Sequence, residues 1–409
     1  MMIEVKKVVQ TIVVAACVLM PWNATAINQD KSLNNWFAKK LGNSKTESMA
    51  VQALLEISQG KNKQALNTVN ELIRMTPNFK LAYMMKGDLL LAQTKKLEAI
   101  GGADESTNEE VQGLRDEAKM RIEHYLDREK KPNFPNLLVQ LDENQSHVIL
   151  VDTVKSKLFL FKKINGKLVY QSDYYITIGK NGFDKKIEGD KRTPLGVYFA
   201  SKKLSDPLPD LYGDGAYPLD YPNPLDQKQN KSGSGIWLHG TPKETYSRPP
   251  RASDGCVVLS NPDLKALEPI LQNGNTPVII ADHFDWADES QDAFATQKLV
   301  LNKEIEAWRK DWIAQNTNQY LSHYSKNFFY SDGDFEKWAA HKRNVQSTKP
   351  KVAIQINDIS MLSHPSKPNI VVVNFEQNFK SPTLGNVMQK RQYWMNENNQ
   401  WKIIYEGAS

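Results

Sequence analysis

From about Ser48 to His124 the apolar residues recur every three or four positions: Leu54, Leu55, Ala65, Leu66, Val69, Leu72 and Ile73, then Leu81, Met84, Met85, Leu89 and Leu90. That spacing lines them up on one stripe of a helix, so the stretch predicts an α-helical region. Ala53 and Gly87 lie 34 residues apart, as do Ala65 and Ala99, and Pro77 closes the first unit. Period and small-residue positions match a tetratricopeptide repeat. Under two full repeats are present, so the region reads either as a protein-interaction surface or as a helical cap on the next domain. The run from Lys130 to Pro135 breaks helix and reads as a linker.

From His147 the pattern changes to short β-branched or aromatic runs bounded by turn residues: Val148 to Val151, Lys157 to Phe161, Leu168 to Gln171, Tyr174 to Ile178 and Val197 to Ala200. Asn165-Gly166 is a hairpin signal. Pro and Gly crowd the segment from Asp206 to Gly235, a loop of the length that marks functional lids. Strands resume at Ile236 to Leu238, Cys256 to Leu259 and Pro277 to Ile280, which makes the block mainly β. An acidic stretch, Asp282 to Asp292, precedes a long amphipathic helix expected from about Gln297 to Tyr324, with a second helix around Phe335 to His341. Strands at Val352 to Ile359, Asn369 to Phe379, Val387 to Met395 and Trp401 to Tyr405 then complete an α+β domain whose curved sheet encloses a pocket. Trp308, Trp312, Tyr320, Tyr324 and Trp338 fall at helical spacing and read as core.

The N-terminus reads as an address. Lys6 and Lys7 precede an apolar run from Val8 to Met20, and Ala24-Thr25-Ala26 supplies a small-x-small cleavage site, so residues 1–26 read as a cleaved signal peptide that exports the chain to the periplasm. The run is shorter than a stable bilayer anchor, and no transmembrane anchor is expected. Val14-Ala15-Ala16-Cys17 also resembles a lipoprotein box, but Val18-Leu19-Met20 keeps the run apolar past the cysteine, which favours cleavage after Ala26.

Hydrophobic residues make up 40% of the 409 and charged residues 24%, a globular composition that excludes a multi-span channel or transporter. The net charge of +5 is spread along the chain, so no nucleic-acid partner is expected. Of the two cysteines, Cys17 lies in the leader. Cys256 is then a lone thiol in an oxidising compartment, which calls for a chemical explanation.

That explanation starts at Ile236-Trp237-Leu238-His239-Gly240, followed by Ser253-Asp254-Gly255-Cys256-Val257-Val258. A strand-end histidine and a strand-start cysteine face each other across a cleft. Acyl transfer on sulfur needs a thiolate, a base, a group that sets the base's tautomer, and N–H donors for the oxyanion. Cys256 is the expected nucleophile and His239 the general base, taking the thiol proton to form an ion pair. Gly240 brings a carbonyl to the imidazole, and the N–H groups of Gly255 and Cys256 are expected to point at the oxyanion. Arg248 and Arg251 read either as a solvated face or as a planar fork for stem-peptide carboxylates. A zinc site from His239, Asp254, Cys256 and His283 lacks the usual ligand spacings, and no metal, nucleotide or organic cofactor is expected.

The His-Gly, the spacer and the Ser-x-Gly-Cys resemble the YkuD-type L,D-transpeptidases, peptidoglycan enzymes with a catalytic cysteine. Upstream, Gly189-Asp190-Lys191-Arg192-Thr193-Pro194-Leu195-Gly196 looks like that family's Thr-Pro-x-Gly signature. The resemblance covers about residues 146–281 and implies Cys256 as nucleophile and His239 as acid/base, with Gly255 and Ser253 shaping the site. Asp254 stands where many members carry His or Arg, and Val258 where they carry Arg or Asn. The C-terminal block, residues 297–409, resembles an NTF2-like domain, and the pairing resembles a subgroup that includes L,D-carboxypeptidases influencing cell shape. The implied fold is multidomain: a helical TPR-like region (27–135), a mainly-β YkuD-like catalytic domain (146–281) and an α+β NTF2-like domain. The expected activity is L,D-transpeptidation of tetrapeptide stems, with L,D-carboxypeptidase trimming as the alternative and a non-catalytic wall-binding scaffold as a reading from another class. Substrate contacts fall to Ser253, Arg251, Arg248 and Asp254. Partners are peptidoglycan stem peptides and a protein docking on the helical or NTF2-like region.

Overall fold

The computed structural model describes residues 45–95, 100–102, 108–127, 134–205, 207–271, 275–287, 294–348 and 351–409. The signal peptide expected over 1–26 and the box at Cys17 lie outside the described residues.

Four helices open the described chain: α1 (Lys45–Ser58), α2 (Asn62–Met75), α3 (Lys80–Leu91) and α4 (Glu109–Leu126). Most of the stripe that predicted them is buried as one core, with Leu54, Ala65, Val69, Leu72, Leu81 and Met85 all at 0% exposure, whereas Leu90 is exposed. Asn108 starts α4 by accepting from Glu110 N at 3.0 Å, with Glu109 and Glu110 in the first turn against the helix dipole. Tyr246, from far along the chain, is buried in this same core.

Next come β1 (Phe134–Pro135) and β2 (Val139–Gln140), then β3 (His147–Asp152), β4 (Lys157–Ile164), β5 (Lys167–Tyr175), β6 (Ile178–Gly179), β7 (Gly196–Ala200) and β8 (Ala216–Pro218). After the short α5 (Pro224–Lys228) follow β9 (Trp237–His239), β10 (Arg251–Ser253), β11 (Val257–Val258), α6 (Asn261–Leu271), β12 (Thr276–Ala281) and β13 (Trp286–Ala287). The main sheet has order β5-β4-β3-β12-β7, and a smaller one has order β11-β9-β8. Asn165 and Gly166 both take positive φ in the β4–β5 turn, as a two-residue hairpin requires. Ile149, Val151, Leu158, Leu238, Val257, Leu264 and Val278 fill the core between the sheets and α6.

The C-terminal domain comprises α7 (Ala295–Ile313), α8 (Thr317–Ser322), β14 (Tyr324–Tyr330), β15 (Gly333–Asp334), α9 (Phe335–Gln346), β16 (Ala353–His364), β17 (Lys367–Lys380), β18 (Gly385–Glu397) and β19 (Gln400–Ala408). The helix expected through Tyr324 stops early. Gln315 sits at φ 54°, and the Asn316 side chain caps a new helix by accepting from Gln319 N. Tyr324 then enters a strand parallel to β19. The expected aromatic core is present, with Trp308, Trp312, Tyr320, Tyr324 and Trp338 all buried.

The two sheets share material. β2, upstream of the catalytic domain, pairs antiparallel with β16 at the edge of the C-terminal sheet. A second core joins Phe161, Val197, Phe199 and Ile279 of the catalytic domain to Leu362, Val372, Tyr393 and Ile404 of the C-terminal sheet. Arg391 crosses this boundary, its Nη1 donating to Asp220 Oδ2 at 2.6 Å and its guanidinium lying 4.4 Å over the Phe199 ring.

Candidate active site

β9 and β11 run parallel, with Val257 beside Leu238 and Val258 beside His239. Leu238 and Val257 point into the core at 0% exposure. Side chains alternate along strands, so Trp237, His239, Cys256 and Val258 share the opposite face. The register sets Val258 beside His239, and Cys256 lies two residues earlier, directly before β11.

His239 is buried, and its Nδ1 lies 2.7 Å from Gly240 O. A carbonyl only accepts, so Nδ1 carries the proton and Nε2 is left with its lone pair. The Tyr212 ring packs edge-on against the imidazole at 5.1 Å, and Tyr212 O accepts from Gly240 N at 3.1 Å. Burial, helped by the charge of Arg248 and opposed by the Gly240 bond, pushes His239 down to about 4. Gly240 has no room for a side chain because Asn261 Oδ1 occupies that space. The same oxygen accepts from Asp214 N and Thr241 N, and Asn261 Nδ2 donates to Thr241 O at 2.9 Å.

Cys256 is partly exposed, and its thiol donates to Gly235 O at 3.3 Å. Burial raises its pKa, while Trp237 N–H and the charge of Arg248 pull the other way. Burial thus favours the neutral form of both the thiol and the imidazole over the ion pair expected from sequence. The physical reason is desolvation, which penalises two charges more than one neutral pair.

The turn before the cysteine is tied by Ser253, whose Oγ donates to Cys256 O at 2.7 Å and accepts from Gly255 N at 3.1 Å. Gly255 N–H is therefore engaged within the turn, a second correction to the expected pair of oxyanion donors. Gly255 takes φ 127°, and an added Cβ would meet Arg192 O at 2.8 Å. Thr193 Oγ1 donates to Gly255 O and accepts from Gly179 N, both at 2.9 Å. Arg248 is half-buried beside the dyad, with Nη2 donating to Ala252 O at 2.6 Å. Arg251 is exposed on β10, and Asp254 is exposed and paired with Lys191 at 3.6 Å. The structure thus gathers Cys256, His239, Gly240, Ser253, Gly255 and Arg248, and leaves Arg251 and Asp254 on the solvent side.

Sequence reasoning missed Tyr212, Gly235 and Asn261, and gave Thr193 no role of its own. Thr193 was readable from its Thr-Pro-x-Gly signature, and Asn261 from Ser-Asn-Pro-Asp at a helix start. No local signal marks Tyr212 or Gly235, which arrive from the long loop. Among the described residues, no group of three or more His, Cys, Asp or Glu is arranged to hold a metal. None of the described helices is long and apolar enough to cross a membrane.

Residues 146–280 match the model of the YkuD L,D-transpeptidase catalytic domain, and residues 300–407 that of the Cds6 C-terminal NTF2-like domain. The structure is similar to Bd1075 of Bdellovibrio bacteriovorus, at 30% identity and TM-score 0.57, over 68% of this chain and 98% of that one. It is also similar to the helical cell shape determining protein Pgp2 of Campylobacter jejuni, at 26% identity and TM-score 0.57, over 70% of this chain and 99% of that one. No curated protein matches the chain.

Proposed function

Since the chain belongs to the YkuD family of L,D-transpeptidases, with an NTF2-like domain following the catalytic one, we propose that it is an exported periplasmic enzyme whose Cys256 carries out acyl transfer on peptidoglycan stems. The observation that supports this reading is the candidate dyad: Cys256 directly precedes β11, which pairs with the strand ending in His239, and the bond from Nδ1–H to Gly240 O leaves Nε2 free to take a proton.

As substrate enters, the Cys256 thiol passes its proton to His239 Nε2 and Sγ attacks the carbonyl at the L-centre of the third stem residue. Negative charge develops on that oxygen, which the N–H of Cys256 is placed to receive. Collapse breaks the amide bond, and the imidazolium returns its proton to the departing D-alanine amine, leaving a thioester on Cys256. The side-chain amine of a second stem then attacks, losing its proton to His239, and a crosslink is released with the thiol restored. In this reading Arg248 holds the donor carboxylate, the task left open by Val258, whose apolar side chain is buried.

A second reading makes water the acceptor, giving a trimmed tripeptide, and the likeness to a protein named for determining helical cell shape favours it. Incubating tetrapeptide muropeptides, monomers and dimers, with the chain and with Cys256→Ala separates the readings by mass spectrometry. New dimers mean transpeptidation, and loss of one alanine without dimers means trimming. An untouched profile from both proteins would leave the wall-binding scaffold.

A further inference from the structure

The helices α1 to α4 lie outside both family matches, yet they grip one particular segment of the catalytic domain. That segment, residues 241–250, joins His239 to β10 and carries Arg248. Tyr246 inserts into the helical core, its ring 4.9 Å from Phe79, its N–H donating to Asn78 O and its hydroxyl to Glu47 Oε1 at 3.1 Å. Ser247 Oγ donates to Glu117 Oε1 at 2.6 Å. Glu117 is fully buried and held by Arg121 Nη2 at 2.8 Å, and Arg121 also pairs with Glu47. Pro249 packs so closely on α4 that a Cβ at Gly113 would come within 2.8 Å of its ring. From the other side, Arg121 lies 4.3 Å over the Tyr175 ring, whose hydroxyl donates to Arg248 O at 2.9 Å, and Thr177 Oγ1 donates to the same oxygen at 3.0 Å.

A cap that only shielded apolar surface would need none of this. Buried carboxylates are expensive to desolvate, and the bonds Glu117 does find, from Arg121 and Ser247, all converge on Oε1 while Oε2 finds none. Here a bond runs to Ser247 on one side of Arg248, and close packing on Gly113 holds Pro249 on the other. We infer that the helical region is a positioning element of the catalytic centre: Glu117 and Gly113 hold Ser247 and Pro249 so that the Arg248 guanidinium is presented to the donor stem's carboxylate. This rests on the assignment of Arg248 under the proposed function.

The test uses the whole chain and two readouts. The first is the pH dependence of Cys256 alkylation by iodoacetamide, with Cys256→Ala as the blank, which needs no peptidoglycan. The second is KM and kcat on tetrapeptide muropeptides. Gly113→Ala, which pushes on the Pro249 ring, and Ser247→Ala, which removes the bond to Glu117, are each expected to move the alkylation midpoint to higher pH. Each should raise KM about tenfold, the loss of one charge-assisted contact, and leave kcat within about twofold. In a Pro249→Ala background the ring is gone, and Gly113→Ala should add no further effect. If both single variants keep the wild-type alkylation profile, or if Gly113→Ala acts undiminished without the ring, the helical region is a cover and the inference is overturned. A wild-type profile for Arg248→Gln would overturn both the inference and the role given to Arg248. If the parent chain turns over no muropeptide, the proposed reaction falls, and the alkylation profiles still decide the positioning role.

Discussion

The sequence offers Cys256 and His239 as a candidate pair, separated by sixteen positions that begin with Gly240 and end with Gly255, but it does not state their protonation. The imidazole's drop to about 4 comes first from burial, and burial also raises the thiol, so the competent resting form is thiol plus neutral imidazole. The acid limb of kcat/KM, which reports the free enzyme, should therefore fall near pH 4 and not near 6.5. Stability follows the same sign. The unfolded histidine binds its proton at a higher pH than the folded one, so His239 makes stability rise with pH between about 4 and 6.5 and adds no slope above that window. Comparing pH–stability curves of wild type and His239→Gln isolates this contribution. Identical slopes through the window would mean the imidazole titrates as it does in water.

At the scale of elements, local signals succeeded where the determinant is local. The β4–β5 hairpin depends on two adjacent residues that accept positive φ, and Asn165-Gly166 states it outright. The helix expected from Gln297 to Tyr324 failed because its apolar spacing continues through the Gln315 break, where Asn316 restarts the helix and Tyr324 is recruited by β19. Helix α6 was overlooked inside a block read as β. Its start carries the functional load, since Asn261 braces Thr241, directly after Gly240, and Asp214 of the loop that carries Tyr212. Asn261→Ala removes three such bonds and should destabilise the chain by about 1–3 kcal/mol. It should also lower kcat, because Gly240 O then loses its fixed position against His239. Urea unfolding alongside steady-state rates checks this, and unchanged values of both would show that the loops hold themselves.

For the whole molecule, the order of blocks was readable, whereas their fusion was not. Val139 and Gln140 give no sign that they belong to a sheet more than 200 residues away, and Phe199 gives none that it stacks under Arg391. The shared core between the sheets implies that the C-terminal domain is part of the catalytic domain's fold. A chain ending at Ala287 would expose Phe161, Val197, Phe199 and Ile279 to water and leave β2 unpaired. Such a fragment should aggregate or lose its cooperative melt by calorimetry. A soluble fragment that melts sharply and keeps alkylatable Cys256 would show the domains to be separable.

Sequence by itself determined the three-block layout, the hairpin and the aromatic core of the third block, because each rests on residue type and short-range spacing. Only the tertiary structure decided that Gly255 N–H serves Ser253, that Arg248 lies beside the dyad while Arg251 and Asp254 face solvent, and that helices from the far end of the chain clamp the loop between His239 and Cys256. Those outcomes turn on burial and on which hydrogen-bond partners desolvated groups find, and both are set by how the folded segments pack, whether the partner is two residues away, as Ser253 is from Gly255, or 130, as Glu117 is from Ser247.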